Sequence, residues 1–111
     1  MQPETRKYLY DILKACEAIF EFTKGKDFAS YEADLLLRSG VERQLMIIGE
    51  AVNQAIRDEP EICEDIAEIR EIVNLRNVIV HGYAIVENAT IWGIVQGDLP
   101  ALYDQIKRLL Q

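Results

Sequence analysis

The segment VERQLMIIGEAVNQAIRD, residues 41–58, decides the fold. Val41, Leu45, Ile48, Val52 and Ala55 recur at alternating steps of four and three, the repeat that holds one stripe of a helix against its neighbours in a bundle. Pro60 closes the stretch, because the residue before a proline is pushed out of helical geometry. Upstream, either Asp27 or Ser30 can accept from the free N–H groups of a first turn. The spacing therefore predicts one long helix from that cap to about Asp58. Gly49 interrupts it at a cost of ~1 kcal/mol relative to alanine and marks a place where a helix or a ligand comes close.

Working outward, the same periodicity returns on both sides. Leu9, Ile12, Leu13, Cys16, Ile19 and Phe20 form one stripe of a helix predicted from about Pro3, a residue suited to a first helical position, to Thr23, with Gly25 as its stop. Beyond the decisive segment, a third helix is expected over about Glu61 to Val80, ending at Gly82. A last one is expected over about Ala89 to Leu110, capped by Asn88, with Trp92, Val95, Leu99, Leu102, Ile106 and Leu109 as its seam. Pro100 falls inside that last helix and should kink it, since its nitrogen has no hydrogen for the carbonyl of Gln96. Alternating strand patterns and hairpin turns are lacking. The expectation is an all-α, four- to five-helix up-and-down bundle in a single domain over residues 1–111.

Composition narrows what such a bundle does. Half of the 111 residues are hydrophobic and 28% are charged, a globular balance. A chain of this size buries a core with modest surplus, so burial against a second copy would help it. No apolar run reaches the roughly 18 residues of a membrane span, and the charged N-terminal stretch lacks the core of a secretion signal, so a cytoplasmic location is expected. Cys16 and Cys63 stand apart and are expected to be reduced, packing thiols. One histidine and two separated cysteines do not make a zinc site, and no metal or cofactor is expected. The net charge of −7 is the wrong sign for general phosphate affinity, so any nucleic-acid contact must come from a local basic cleft.

The pattern breaks in IAEIREIVNLRNVIVHGY, residues 66–83. On a helical wheel Ile66, Ile69, Ile72, Val73, Leu75, Ile79 and Val80 fill one half, and Arg70, Glu71, Asn74 and Asn77 the other. Arg76 falls among the apolar residues, between Ile69 and Ile72 in angle. A guanidinium there is costly unless it is paired or faces a wet cleft. It has two readings: an ion pair with an acid such as Glu42 or Glu50 of the long helix, or a planar fork lining a phosphate pocket. Five residues on, His81 is the only imidazole in the chain, at a helix C-terminus that favours its charged form. Tyr83 follows Gly82, with either a surface packing role or a functional hydroxyl.

The octapeptide RNVIVHGY, residues 76–83, with VERQLMIIGEAVNQ (41–54) before it and IWGIVQGDLPALYDQI (91–106) after it, resembles the HepT-like toxins of the HEPN superfamily, whose signature is Arg-x4-His-x-Tyr. The resemblance spans most of the chain. It implies a HEPN-like helical domain forming a symmetric homodimer, with two copies of the motif in one cleft, and a metal-independent endoribonuclease acting as the toxin of a toxin–antitoxin pair. It also implies a minimal nucleotidyltransferase antitoxin that silences the toxin by attaching AMP to the motif tyrosine. Carried onto this sequence, Arg76 and His81 are catalytic, Asn77 is the supporting polar neighbour and Tyr83 is the modification site. The alternatives are a non-catalytic nucleotidyltransferase-binding subunit, which the acidic charge favours, and a structural helical dimer with Arg76 in an interface ion pair.

Overall fold

In a computed structural model of the chain, the residues described are 1–62, Ile66, Asn74 and 87–111. They are helical almost throughout, and no strand occurs among them. The elements are α1 (Pro3–Thr23), α2 (Phe28–Ala33), α3 (Leu35–Asp58), α4 (Asn88–Gly93), a π-helical turn over Ile94–Asp98, and α5 (Leu99–Leu110).

Helix α1 has the predicted limits. Pro3 opens it, and the chain leaves it through Lys24 and Gly25, whose φ of 72° suits a residue without a side chain. The Thr23 hydroxyl turns back to donate to the carbonyl of Ile19 at 2.8 Å. The expected long second helix is instead two. Asp27 caps α2, accepting from the backbone N–H and the hydroxyl of Ser30, both at 2.8 Å. Asp34 then breaks the run. Its backbone is extended (φ −112°, ψ 99°), its N–H donates to the carbonyl of Tyr31, and its carboxylate accepts from the N–H of Leu37 at 3.1 Å. One aspartate thus terminates α2 and starts α3, because its short side chain offers the backbone an alternative to continued helix. Of the two proposed caps, Asp27 fills the role and Ser30 is its partner.

The last helix also differs in form. Glu87, not Asn88, occupies the cap position, and it makes no side-chain cap bond. The strain at Pro100 is met one turn earlier, where the N–H of Leu99 reaches back five residues to the carbonyl of Ile94. This wider turn makes room for the proline ring, which in regular α geometry runs into the carbonyl of Gln96. Pro100 is then an early residue of α5, where a missing N–H is tolerated. The third predicted helix is not continuous: Ile62 and Asn74 are helical but Ile66 is not. The rest of that prediction, with Gly82, lies outside the described residues, as does Cys63.

The predicted seams form the core. Val41, Leu45, Ile48, Val52 and Ala55 are at most 1% exposed, and Leu9, Ile12, Cys16, Ile19, Leu99, Leu102 and Ile106 are wholly buried. Each large aliphatic side chain so buried contributes ~1.5–3 kcal/mol before the entropy of ordering is set against it. Helices α1 and α3 make the most extensive pairing, and α5 packs on α1. The pairing of α1 and α3 is antiparallel, as an up-and-down bundle requires: Tyr8 and Asp11 lie beside Glu50 and Gln54, while Phe22 lies beside Gly40. Gly49 is buried within α3. No helix among the described residues is long and apolar enough to cross a membrane.

Candidate active site

The four residues singled out by the sequence, Arg76, Asn77, His81 and Tyr83, lie outside the described residues. What is described is the frame on either side of them. Ile62 and Ile66, at 4% and 3% exposure, enter the core with Leu9, Ile12, Val52, Ala55 and Ile106, around a gap with no room for water. Asn74 is exposed and helical. Ile66 and Asn74 therefore have the burial that the two halves of the wheel assigned them. On the C-terminal side of the motif, Ile91 is 1% exposed and the ring of Trp92 lies on that of Tyr31.

The two carboxylates considered as partners for Arg76 are both on α3 but serve different sides of it. Glu42 is half-buried near Tyr31, whose hydroxyl is pushed up to about 12 by burial first and the Glu42 charge second, with Arg38 pulling the other way. Glu50 instead lines an open groove between α1 and α3 with Tyr8, Asp11, Arg43, Ile47 and Gln54, enclosing about 490 Å³. Eight residues separate the two acids, ~12 Å along the axis at the helical rise. They are not interchangeable partners for one guanidinium.

The groove between α1 and α3 is not itself built for phosphate. It offers one guanidinium, Arg43, against the carboxylates of Asp11 and Glu50, a balance that repels an anion more than it holds one. Other ionisable groups with displaced titrations are structural. Burial, and next the neighbouring Glu17 charge, push the Cys16 thiol up to about 12. Tyr103 donates its hydroxyl to Glu17 Oε2 at 2.8 Å, and that bond, ahead of burial, raises its titration. Sequence reading missed Tyr31, the largest wholly buried side chain among the described residues, because it sits on a six-residue helix too short to show a periodicity.

The frame and its motif have relatives. A family described as ribonuclease HepT-like matches residues 12–109, which include all four motif positions. A protein of Methanocaldococcus jannaschii named as an inferred RNase is 32% identical over 104 residues, 94% of each chain. One of Caldanaerobacter subterraneus subsp. tengcongensis, named in the same way, is 34% identical over 106 residues, covering 96% of this chain and 94% of that one. A Thermococcus cleftensis protein named probable ribonuclease HepT is 32% identical over 109 residues, 98% of each. No solved structure matches. With a match across nearly the whole bundle, and relatives of the same length at this identity, the chain belongs to the HepT-like ribonuclease family.

Proposed function

We propose that the chain is a metal-independent endoribonuclease, the toxin of a toxin–antitoxin pair, working as a homodimer with Arg76 and His81 of both copies in a shared cleft. The observation that carries this reading is the family match over residues 12–109, within which Arg-x4-His-x-Tyr stands intact at residues 76–83. In the proposed reaction the ribose 2′-oxygen forms a bond to the adjacent phosphorus and the bond to the 5′-oxygen breaks. One group takes the proton of the 2′-hydroxyl and another supplies one to the departing 5′-oxygen. A single chain has one histidine. Two copies of His81 divide the acid and base roles, and the Arg76 guanidinium stabilises the charge gathering on the phosphorane oxygens.

Asn77 supports the site beside Arg76. Tyr83 is the acceptor for AMP from a minimal nucleotidyltransferase antitoxin, and the added anion blocks the cleft and repels phosphate. The test is RNA cleavage by purified protein in EDTA. Wild-type chain cleaves, His81→Ala and Arg76→Ala do not while remaining folded, and undiminished cleavage by both variants overturns the assignment. A second reading, a non-catalytic nucleotidyltransferase-binding subunit, is favoured by the net charge of −7. It is distinguished by a stable complex with the nucleotidyltransferase and intact RNA at every enzyme concentration.

A further inference from the structure

Cations are outnumbered in this acidic chain, yet four of its 12 gather on one face. Arg6, Tyr10 and Lys14 follow one another at steps of four along α1, on the side turned from Leu9, Ile12 and Cys16, with Lys7 next to Arg6. Helix α5 runs antiparallel to α1. Its Ile106 packs with Leu9 and Ile12, whereas Tyr103, earlier in α5, meets Glu17 and Phe20. Lys107, one turn after Tyr103, therefore adds a fourth cation at the same end of α1. Lys7, Lys14 and Lys107 are exposed, Arg6 is half-buried, and Tyr10 is 46% exposed. Two of the cations lie over rings: Arg6 Cζ is 6.0 Å from the centre of Tyr10, and Lys107 Nζ is 5.2 Å from that of Tyr103. Among the described residues, none of the four is held in an ion pair.

The acids of this region stand at its edges. Asp11 lines the groove on the α3 side, and Glu4, two turns before it, is on the same line of the helix. Glu17 accepts from Tyr103 at the far end, and Asp104 flanks the face on α5. Helix stability accounts for Lys107, at a C-terminal end that favours cations. It does not account for Arg6 and Lys7, near an N-terminal end that disfavours them. From Arg6 to Lys14 is ~12 Å at the helical rise, a length that about three to four stacked nucleotides cover at ~3.4 Å each. An open ring between cations at that spacing offers a base its face and the neighbouring phosphates a counter-charge. That combination holds single-stranded nucleic acid without reading its sequence.

We propose that the Arg6–Tyr10–Lys14 strip of α1, with Lys7 and Lys107, is a docking track for single-stranded RNA, which holds the strand while the motif at residues 76–83 cuts it. The choice of RNA rests on the RNase reading. The track supplies the local basic surface that an acidic ribonuclease needs.

Binding of a fluorescein-labelled single-stranded RNA of about twelve nucleotides, followed by anisotropy over a series of salt concentrations, tests it. His81→Ala is the parent chain, so that binding is measured without cutting. Tyr10→Ala raises the dissociation constant at least about fivefold, the scale of one lost base stack. Lys14→Gln and Lys107→Gln also weaken binding, and each lowers the slope of log affinity against log salt by ~0.7, as removal of one phosphate contact requires. Lys24→Gln and Lys26→Gln change the net charge equally at the other end of α1 and leave both quantities where they were. The strip lysines are exposed, so they carry the test if Tyr10→Ala loses helicity by circular dichroism. A parent chain that does not bind at about 50 mM salt overturns the proposal. So does unchanged affinity in the strip variants, or an equal loss in the Lys24 and Lys26 controls. Strip variants that keep RNA but lose the nucleotidyltransferase assign the face to a protein and overturn it as well. The RNase reading fails separately. A wild-type chain that holds RNA by these rules and never cuts it leaves the track standing, and an active enzyme whose RNA affinity ignores the strip removes the track alone.

Discussion

The ring of Tyr31 lies against that of Trp92, centroids 5.2 Å apart and planes inclined at 36°. The contact joins α2 to α4, the element through which the chain returns from the motif segment. Tyr31 is wholly buried, and its hydroxyl finds no hydrogen-bond partner among the described residues. Its two halves therefore act in opposite directions: the ring contributes packing and the hydroxyl carries an unreturned desolvation cost. Tyr31→Ala is expected to destabilise by ~3–5 kcal/mol, as large aromatic truncations in cores do. Tyr31→Phe is expected to be neutral or to stabilise by up to ~1 kcal/mol. Urea unfolding of the three chains measures both, and a Phe variant weakened as much as the Ala variant contradicts the account.

Asp34 gives the second prediction. Its carboxylate accepts from Leu37 N–H at the start of α3, while its own backbone ends α2. Asp34→Ala is expected to cost about 1 kcal/mol, the usual penalty for losing an N-cap acceptor, and Asp34→Asn much less, because an amide oxygen caps nearly as well. Equilibrium denaturation distinguishes the two. Equal losses in both variants would mean that the break at Asp34 is held by something other than the cap.

That break also shows where the sequence stops being legible. The stripe of α3 from Val41 to Ala55 is readable because burial of a regular helix imposes a period, and all five residues are in the core. Leu35-Leu36-Leu37 reads as a continuation of helix in either direction. Yet Leu35 and Leu36 are 68% and 83% exposed and only Leu37 is buried, so hydropathy alone misplaces the junction. Ser30 and Asp27 look equivalent as caps until geometry shows one accepting from the other. Pro100 announces a disturbance, but not that a five-residue backbone step would absorb it. At the site, Arg76 stands out because it breaks an apolar helical pattern, and His81 because it is the only imidazole in the sequence. Which carboxylate or phosphate answers Arg76 depends on distances between segments remote in sequence, and periodicity within one segment does not encode those.

Cys16 ties the core to alkaline pH. The buried thiol titrates at about 12, above its ordinary value of 9.0, chiefly because burial disfavours the thiolate. A group whose titration is raised on folding stabilises the fold fully below its unfolded value, and that stabilisation is lost as pH rises from about 9 toward 12. In a Cys63→Ser background, Cys16 is expected to resist a disulfide-exchange reagent at pH 8 until denaturant is added. The fall in stability between pH 9 and 11 is expected to shrink in Cys16→Ala. Rapid labelling of the folded chain at pH 8 would contradict the burial of this thiol.

The proposed role of Arg76 makes a sharper demand than loss of activity on truncation. A guanidinium that holds phosphate through its planar fork is poorly replaced by an ammonium of the same charge, because lysine offers a point charge without the paired donors. Arg76→Lys should therefore lower RNA cleavage by roughly 10²–10³, the scale seen when one stabilising donor is lost, while urea unfolding shifts by under about 1 kcal/mol. If Arg76 instead closes an ion pair on α3, Arg76→Ala should lower stability, by more if the partner is the half-buried Glu42 and by ~1 kcal/mol or less if it is the exposed, solvent-screened Glu50. Replacing that acid as well should then recover part of the loss. Glu42→Gln and Glu50→Gln, each combined with Arg76→Ala, identify the partner, because only the acid that faces the guanidinium can couple to it. Additive unfolding energies in both double variants, with cleavage lost in Arg76→Lys, are the outcome expected of an arginine that acts on substrate.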